Sequence, residues 1–468
     1  MTQDITLTDM FCGAGGTSTG AVAAGASVRL AINHWARAIE THNTNHPNTA
    51  HVLTDLHKAD PRRYPTTTGL AASPECTSHT LAKGHKRSGQ NQPDLPGLWN
   101  VEEANLSEEA EERSRCTMWT PLDWAEYHDY QFVILENVVD AHLWRPFDSW
   151  LQAWKSLGYD YELVYFNSMF AHPTPQSRDR MYFVGWKKGN PKPNLQIMPL
   201  ARCVKCGKDV DSVQCWKNPG KKHGKYKQQY VYCCPVCAQE VTPYYYAAAN
   251  AIDWSLVAPR IGDRTKPLKE KTMQRIEDGL KKFAESGTPS SAAIMAVLPF
   301  LANLNHSKLR PIAVGEQPFH TQTGYDSTGL VVPPFILDHT AEYRLRGLLD
   351  PLSTVCAGGN HHSLIVPAVA SWLMTYYSHG QLASTQQAAP TVTTLERHAL
   401  ATSKDANSIA IEDCGFRMLV PKEIQSAMAF PGDYILTGNR REQVKQLGNA
   451  VTPPVMQLLV GRVIDSLA

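Results

Sequence analysis

No stretch of this 468-residue chain approaches the roughly 18 consecutive apolar residues that a membrane-crossing helix needs, so no membrane partner is expected. Net charge is nearly absent as well. The 45 Lys and Arg against 44 Asp and Glu leave a formal +1, which excludes indiscriminate coating of nucleic acid and leaves any such binding to local basic patches. No secretory leader is evident, so the 11 cysteines are expected reduced, in a cytoplasm, and free or on metal rather than in disulfides. What is present is 43% hydrophobic content, enough to fill two or three domain cores.

Four short segments carry the chemistry. Ile5 to Phe11 has strand composition and runs into Cys12-Gly13-Ala14-Gly15-Gly16-Thr17-Ser18-Thr19-Gly20, after which Ala21 to Ala24 continue a helix. The turn has neither the dinucleotide Gly-x-Gly-x-x-Gly spacing nor a phosphate-loop Gly-Lys-Ser/Thr; by itself it fits a cofactor cradle and a plain turn equally. Gly69 to Ala72 reads as a short buried strand that delivers Ser73-Pro74-Glu75-Cys76 at its end, where an open α/β sheet presents its chemistry. Phe132 to Leu135 is a continuous apolar run of the kind found in a sheet covered on both faces, and it delivers Glu136-Asn137-Val138. Gln176, Arg178 and Arg180 precede the strand Met181 to Gly185; arginines at i and i+2 on an extended segment point the same way and can converge on one ligand.

In order and spacing these segments resemble the DNA cytosine-5 methyltransferases. Asp9 to Gly16 is similar to the family's glycine motif, Ser73 to Cys76 to its nucleophile loop, Glu136-Asn137-Val138 to its ENV motif and Gln176 to Arg180 to its QxRxR motif. Arg417 through Gly432 resembles the ninth family motif and Gln446 through Val455 the tenth, which is expected to pack back against the cofactor-binding half. The resemblance implies a Rossmann-like α/β sheet using S-adenosylmethionine and acting on double-stranded DNA, with base flipping. It implies that Cys76 adds to C6 of cytosine, that Glu136 protonates N3, and that Arg180, with Arg178, holds O2; the covalent adduct activates C5 to attack the methyl group. It also implies a cofactor site from Asp9, Phe11, Cys12, Gly13, Ala14, Gly15, Gly16, Asn33, His34, Asp55, Pro74, Asn449 and Val451. His34 or Trp35 would stack on the adenine.

Two positions depart from the family. Glu75 stands where proline usually precedes the nucleophile, and Asn33 stands where a glutamate usually accepts from the cofactor ribose; Asn33 can still accept through its amide oxygen. These departures leave open a modified cofactor that places another group on C5. One branch of the family methylates tRNA, which is the alternative substrate.

Between the motif blocks, Cys203-x-x-Cys206 and Cys234-x-x-Cys237, separated by 27 residues, suit structural zinc in a zinc ribbon. Lys217, Lys221, Lys222, His223, Lys225, Tyr226 and Lys227 lie between the knuckles, as a phosphate-gripping finger or a solvated loop. Farther on, a degenerate repeat of strand, turn and strand ends at Gly329 to Pro333, Ser363 to Pro367 and His398 to Leu400, and Lys266 to Phe283 has helical spacing. The expected division is therefore 1–195 catalytic, 196–250 zinc ribbon, 251–410 target recognition and 411–468 returning to the catalytic domain. The resemblance further implies a monomer in the cytoplasm of a bacterial or phage-infected cell, with a companion restriction endonuclease as a candidate partner.

Overall fold

The computed structural model describes residues 4–74, 117–246 and 420–468, short pieces between 248 and 274, and the backbone of strands between 300 and 402. Glu75, Cys76 and Arg417 to Leu419 lie outside the described residues, as does most of the helix expected over 266–283.

Seven strands form the principal sheet: β1 (Thr6–Met10), β2 (Ser27–Asn33), β3 (Ala50–Leu53), β4 (Gly69–Ala72), β5 (Phe132–Val138), β6 (Tyr159–Asn167) and β7 (Asp179–Lys187). Their order is β3-β2-β1-β4-β5-β7-β6. Neighbours from β3 to β5 are parallel, and β7 runs antiparallel between β5 and β6. The chain leaves β1 toward β2 on one side and returns to β4 on the other. The crevice for ligands therefore opens beyond the C-terminal ends of β1 and β4, where strand order reverses. This is the α/β sheet expected from the sequence.

Successive residues of a strand face opposite sides. Thus Phe132 and Ile134 of β5 and Tyr182 and Val184 of β7 enter one core, while Val133, Leu135, Met181 and Phe183 enter the other. The second core is covered by α3 (Thr120–His128) and α4 (Phe147–Ser156), which bring the fully buried Trp124, Trp150 and Trp154. The first is covered by α1 (Gly16–Ala23) and by the last helix, α7 (Pro453–Leu467).

The C-terminal segment returns to the N-terminal third. It comprises α5 (Pro421–Ala427), α6 (Arg440–Asn449) and α7. Asn45, at the end of α2 (Ala36–Asn45), exchanges two hydrogen bonds with the backbone of Ile435, at 2.7 and 2.9 Å. Glycines at i and i+4 of α1 let α7 in: a Cβ on Gly16 would lie 1.9 Å from the Val451 carbonyl oxygen, and one on Gly20 2.3 Å from that of Pro453.

The two CxxC knuckles sit on hairpin turns. One joins β8 (Leu200–Cys203) to β9 (Lys208–Asp211); the other joins β11 (Tyr230–Cys233) to β12 (Glu240–Val241), with β10 (Val213–Trp216) paired to β11. Farther along, Ser327–Val332, His362–Ile365 and His398–Thr402 are strands, as the repeat predicts. The first and third pair in parallel within one sheet while the second lies in another, so the repeats do not stack as equivalent units.

Candidate active site

Beyond β1 the chain turns tightly through left-handed Phe11, Gly13 and Gly15, with φ of 57°, 52° and 87°. Gly13 has open space where a Cβ would be, its nearest atom being the Phe11 carbonyl oxygen at 3.8 Å, so this is where a ligand can approach the backbone. Gly15 and Gly16 are instead crowded by the protein's own Tyr434, His42 and Val451.

Asp9 is buried and accepts from the Ser18 hydroxyl at 2.7 Å, while its Oδ1 has no partner. Because Ser18 donates to Asp9, it accepts from His42 Nε2 at 2.9 Å; His42 Nδ1 then accepts from His51 Nε2 at 2.7 Å. A one-way chain of protons thus runs from His51 to Asp9 through neutral imidazoles. Burial, and then the neighbouring His42, hold His46 and His51 down to about 4. Sequence reading missed this network because its members come from β1, α1, α2 and β3. Burial, and then Asp9, push the Cys12 thiol well above its ordinary range, so it is no competitor to Cys76 as nucleophile.

Asn33 ends β2, but its Oδ1 already accepts from the Trp35 N–H at 2.9 Å. The oxygen expected to receive the ribose is thus partly engaged, leaving the amide nitrogen as the second polar handle. His34 is exposed beside it, and Lys445 Nζ sits 4.6 Å from the centre of the Trp35 ring. Asp55 follows β3 and closes a turn by accepting from the His57 N–H at 3.1 Å. Asn449 is exposed at the end of α6, and Val451 is buried against Gly16.

The nucleophile loop is anchored two residues before Cys76. In-register pairing of β4 and β5 matches Ala72 to Leu135, and one step beyond it Asn137 Nδ2 donates to the Pro74 carbonyl at 3.4 Å. The asparagine of the ENV segment is therefore a latch between the loop and β5. Its neighbour Glu136 places Oε1 2.8 Å from Arg180 Nε, a close ion pair not aligned as a hydrogen bond, with only 12% and 10% of the two side chains exposed. Antiparallel pairing of β5 with β7 sets this meeting, since Val138 lies opposite Arg180.

Arg178 does not converge with Arg180 on one ligand. Its guanidinium donates to the carbonyls of Gly448, at 3.3 and 3.4 Å, and Ala450, at 3.3 Å. Burial, and then the like charge of Arg180, bring it down to about 9. Arg178 precedes β7, so the alternation that would align the pair does not reach it.

In the ribbon, the Sγ atoms of Cys203, Cys206, Cys234 and Cys237 all lie within 4.8 Å of one another, with 3.5 Å between Cys203 and Cys237 and 3.8 Å between Cys206 and Cys234. All four are free thiols. Sulfur ligands at about 2.3 Å around a tetrahedral zinc stand about 3.8 Å apart, so the donor set and its spacing fit that ion.

Comparisons with known proteins agree with this arrangement. The family described as C-5 cytosine-specific DNA methylase matches residues 5–104, 106–232 and 311–465. No match was found among curated proteins. Among solved structures, a DNA modification methyltransferase encoded within an E. coli prophage is similar at 13% identity and a TM-score of 0.45, over 99% of each chain. A DNMT2 variant from Spodoptera frugiperda is similar at 12% identity and a TM-score of 0.49, over 98% of this chain and 99% of that one. Entamoeba histolytica EhMeth is similar at 11% identity and 0.46, over 100% and 99%. At these values the structural likeness adds nothing to the assignment, which rests on the family match. The chain belongs to the C-5 cytosine-specific DNA methylase family.

Proposed function

We propose that this cytosine methyltransferase acts on double-stranded DNA through a covalent bond between Cys76 and C6 of a flipped-out cytosine. The observation that carries this reading is the facing pair Glu136–Arg180, beside a loop that Asn137 ties down two residues before Cys76. A ring entering there meets an acid and a guanidinium side by side: Glu136 gives a proton to N3, Arg180 holds O2, and the thiolate adds at C6. C5 then carries the electron density that takes up a methyl group. S-adenosylmethionine, when bound, supplies that methyl as an electrophile; Phe11, the Gly13 backbone, Asn33, Asp55, Pro74, Asn449 and Val451 would hold it. After transfer the C5 proton leaves and the C6–S bond breaks, restoring Cys76. Arg178 is a positioning residue in this scheme, joining the QxRxR segment to the final motif. Flipping costs about a few kcal/mol of unstacking. The ribbon would be held by zinc on Cys203, Cys206, Cys234 and Cys237. The long inserted region favours duplex readout, which needs a groove-reaching module.

The test uses methyl-labelled S-adenosylmethionine with duplex DNA and, separately, tRNA, with Cys76→Ala as control and the nucleosides weighed after digestion. Labelled 5-methylcytosine from DNA alone, lost in the variant, is the expected result. Label in tRNA alone overturns the substrate, activity in the variant overturns the nucleophile, and a heavier adduct formed with cell extract overturns plain methyl transfer.

A further inference from the structure

The ribbon does not stand away from the catalytic sheet. Tyr226, Tyr230 and Tyr232 are buried in the same core as Phe166 and Phe170. Phe170 meets Tyr226 and Tyr232 edge-on at 4.9 and 5.1 Å between ring centres. The loop joining β10 to β11 is thereby held beside the catalytic strands, and two adjacent residues of it reach two of them. Lys225 Nζ lies 3.1 Å from Asp140 Oδ2, in the 3-10 turn (Val139–Leu143) that directly follows β5. The Tyr226 N–H donates to Asp179 Oδ1 at 3.0 Å, on the first residue of β7, and the Asp179 carbonyl accepts from Arg180 Nη1 at 2.8 Å. The turn is stiff. The Gln229 N–H returns to the Lys225 carbonyl at 3.0 Å, and the Lys227 N–H to that of Tyr230 at 2.7 Å, which ties the pair to the start of β11.

We propose that Lys225 and Tyr226 form a clamp across the ends of β5 and β7 that fixes Glu136 against Arg180, making the ribbon a positioning element of the cytosine pocket. This rests on the pocket described under Proposed function. The two prongs hold the strands that carry the two groups, one by a side chain and one by a backbone N–H. The Lys225–Asp140 pair is partly exposed, at 35% and 23%, and such pairs add little to stability. Its removal is therefore expected to leave the fold intact while loosening geometry on which proton transfer depends.

The test compares full-length wild type, Lys225→Met and Lys225→Arg, with labelled S-adenosylmethionine and mixed-sequence genomic duplex DNA. Lys225→Met is expected to lower kcat about tenfold, with KM for both substrates within about twofold and an unchanged melting temperature, and Lys225→Arg to restore most of the rate. A raised KM for DNA with kcat intact would show that Lys225 grips a phosphate instead and overturn the clamp; so would an unchanged kcat. Hydrogen exchange supplies a readout independent of catalysis. Amides 136–140 and 179–181 are expected to exchange about tenfold faster in Lys225→Met, and identical exchange overturns the clamp whatever the activity. Inactivity of the wild type on DNA counts against the proposed substrate alone, because the exchange comparison still decides the clamp.

Discussion

Gly16→Ala is the sharpest probe of how the first and last motifs meet. Its Cβ would stand 1.9 Å from the Val451 carbonyl oxygen, 3.0 Å from the Val451 carbonyl carbon and 3.3 Å from the Phe430 ring. A carbon and a carbonyl oxygen need rather more than 3 Å, so α1 and the 450–452 segment must separate by over 1 Å. The obstacle is backbone, which has no rotamer to turn aside. Overpacking of this kind costs about 1–3 kcal/mol, and this case falls at the upper end. At about 2–4 °C per kcal/mol, the melting temperature is expected to fall by about 5–10 °C. Affinity for S-adenosylmethionine should drop about tenfold, since Val451 and the glycine turn are both candidate cofactor contacts. Calorimetry measures the affinity and a thermal melt the stability. Gly461→Ala is the internal control: it lies within α7 with nothing within 4 Å, so it is expected to stabilise by up to about 1 kcal/mol. A Gly16→Ala protein melting within a degree of wild type and binding cofactor equally would refute the packing argument.

Two further outcomes follow from the same structure. His46 and His51 are held down to about 4 from 6.5, so between those values the unfolded chain binds more protons; their contribution is complete above about pH 6.5 and is lost as pH falls toward 4. Asp179, pushed up to about 6 chiefly by burial, works in the opposite sense, its contribution being lost as pH rises from 3.8 through about 6. Discounting the histidines for solvent leaves a net loss of about 1–2 kcal/mol, or about 3–6 °C, between pH 7 and pH 5. His51→Gln should flatten the melting profile over that range, and an unchanged slope would remove the histidines as its cause. Purified protein is expected to carry about one zinc per chain by elemental mass spectrometry, and chelation to lower its melting temperature; metal-free protein whose melting a chelator does not move would rule out a structural role.

The catalytic strands were legible in the sequence because apolar runs such as Phe132 to Leu135 bury both faces, and because a strand ending in Glu136 or in Ser73-Pro74 can only present those residues at the sheet's edge. The four zinc-ligand candidates were legible for a similar reason: CxxC spacing is a local property, and the hairpin turns bring the two knuckles together. Arg178 was not, because alternation predicts direction only inside a strand, and β7 begins one residue later. The partners that decide its role, Gly448 and Ala450, are 270 and 272 residues away. Asn33 shows the same limit on a smaller scale, its acceptor engaged by Trp35 once the chain turns out of β2. The proton chain from His51 to Asp9 and the grip of Lys225 and Tyr226 on β5 and β7 likewise join residues that no sequence window contains. Which groups this protein brings to the cytosine pocket is written in local spacing; how each is aimed was decided only by the strand register and the packing of the chain's two ends.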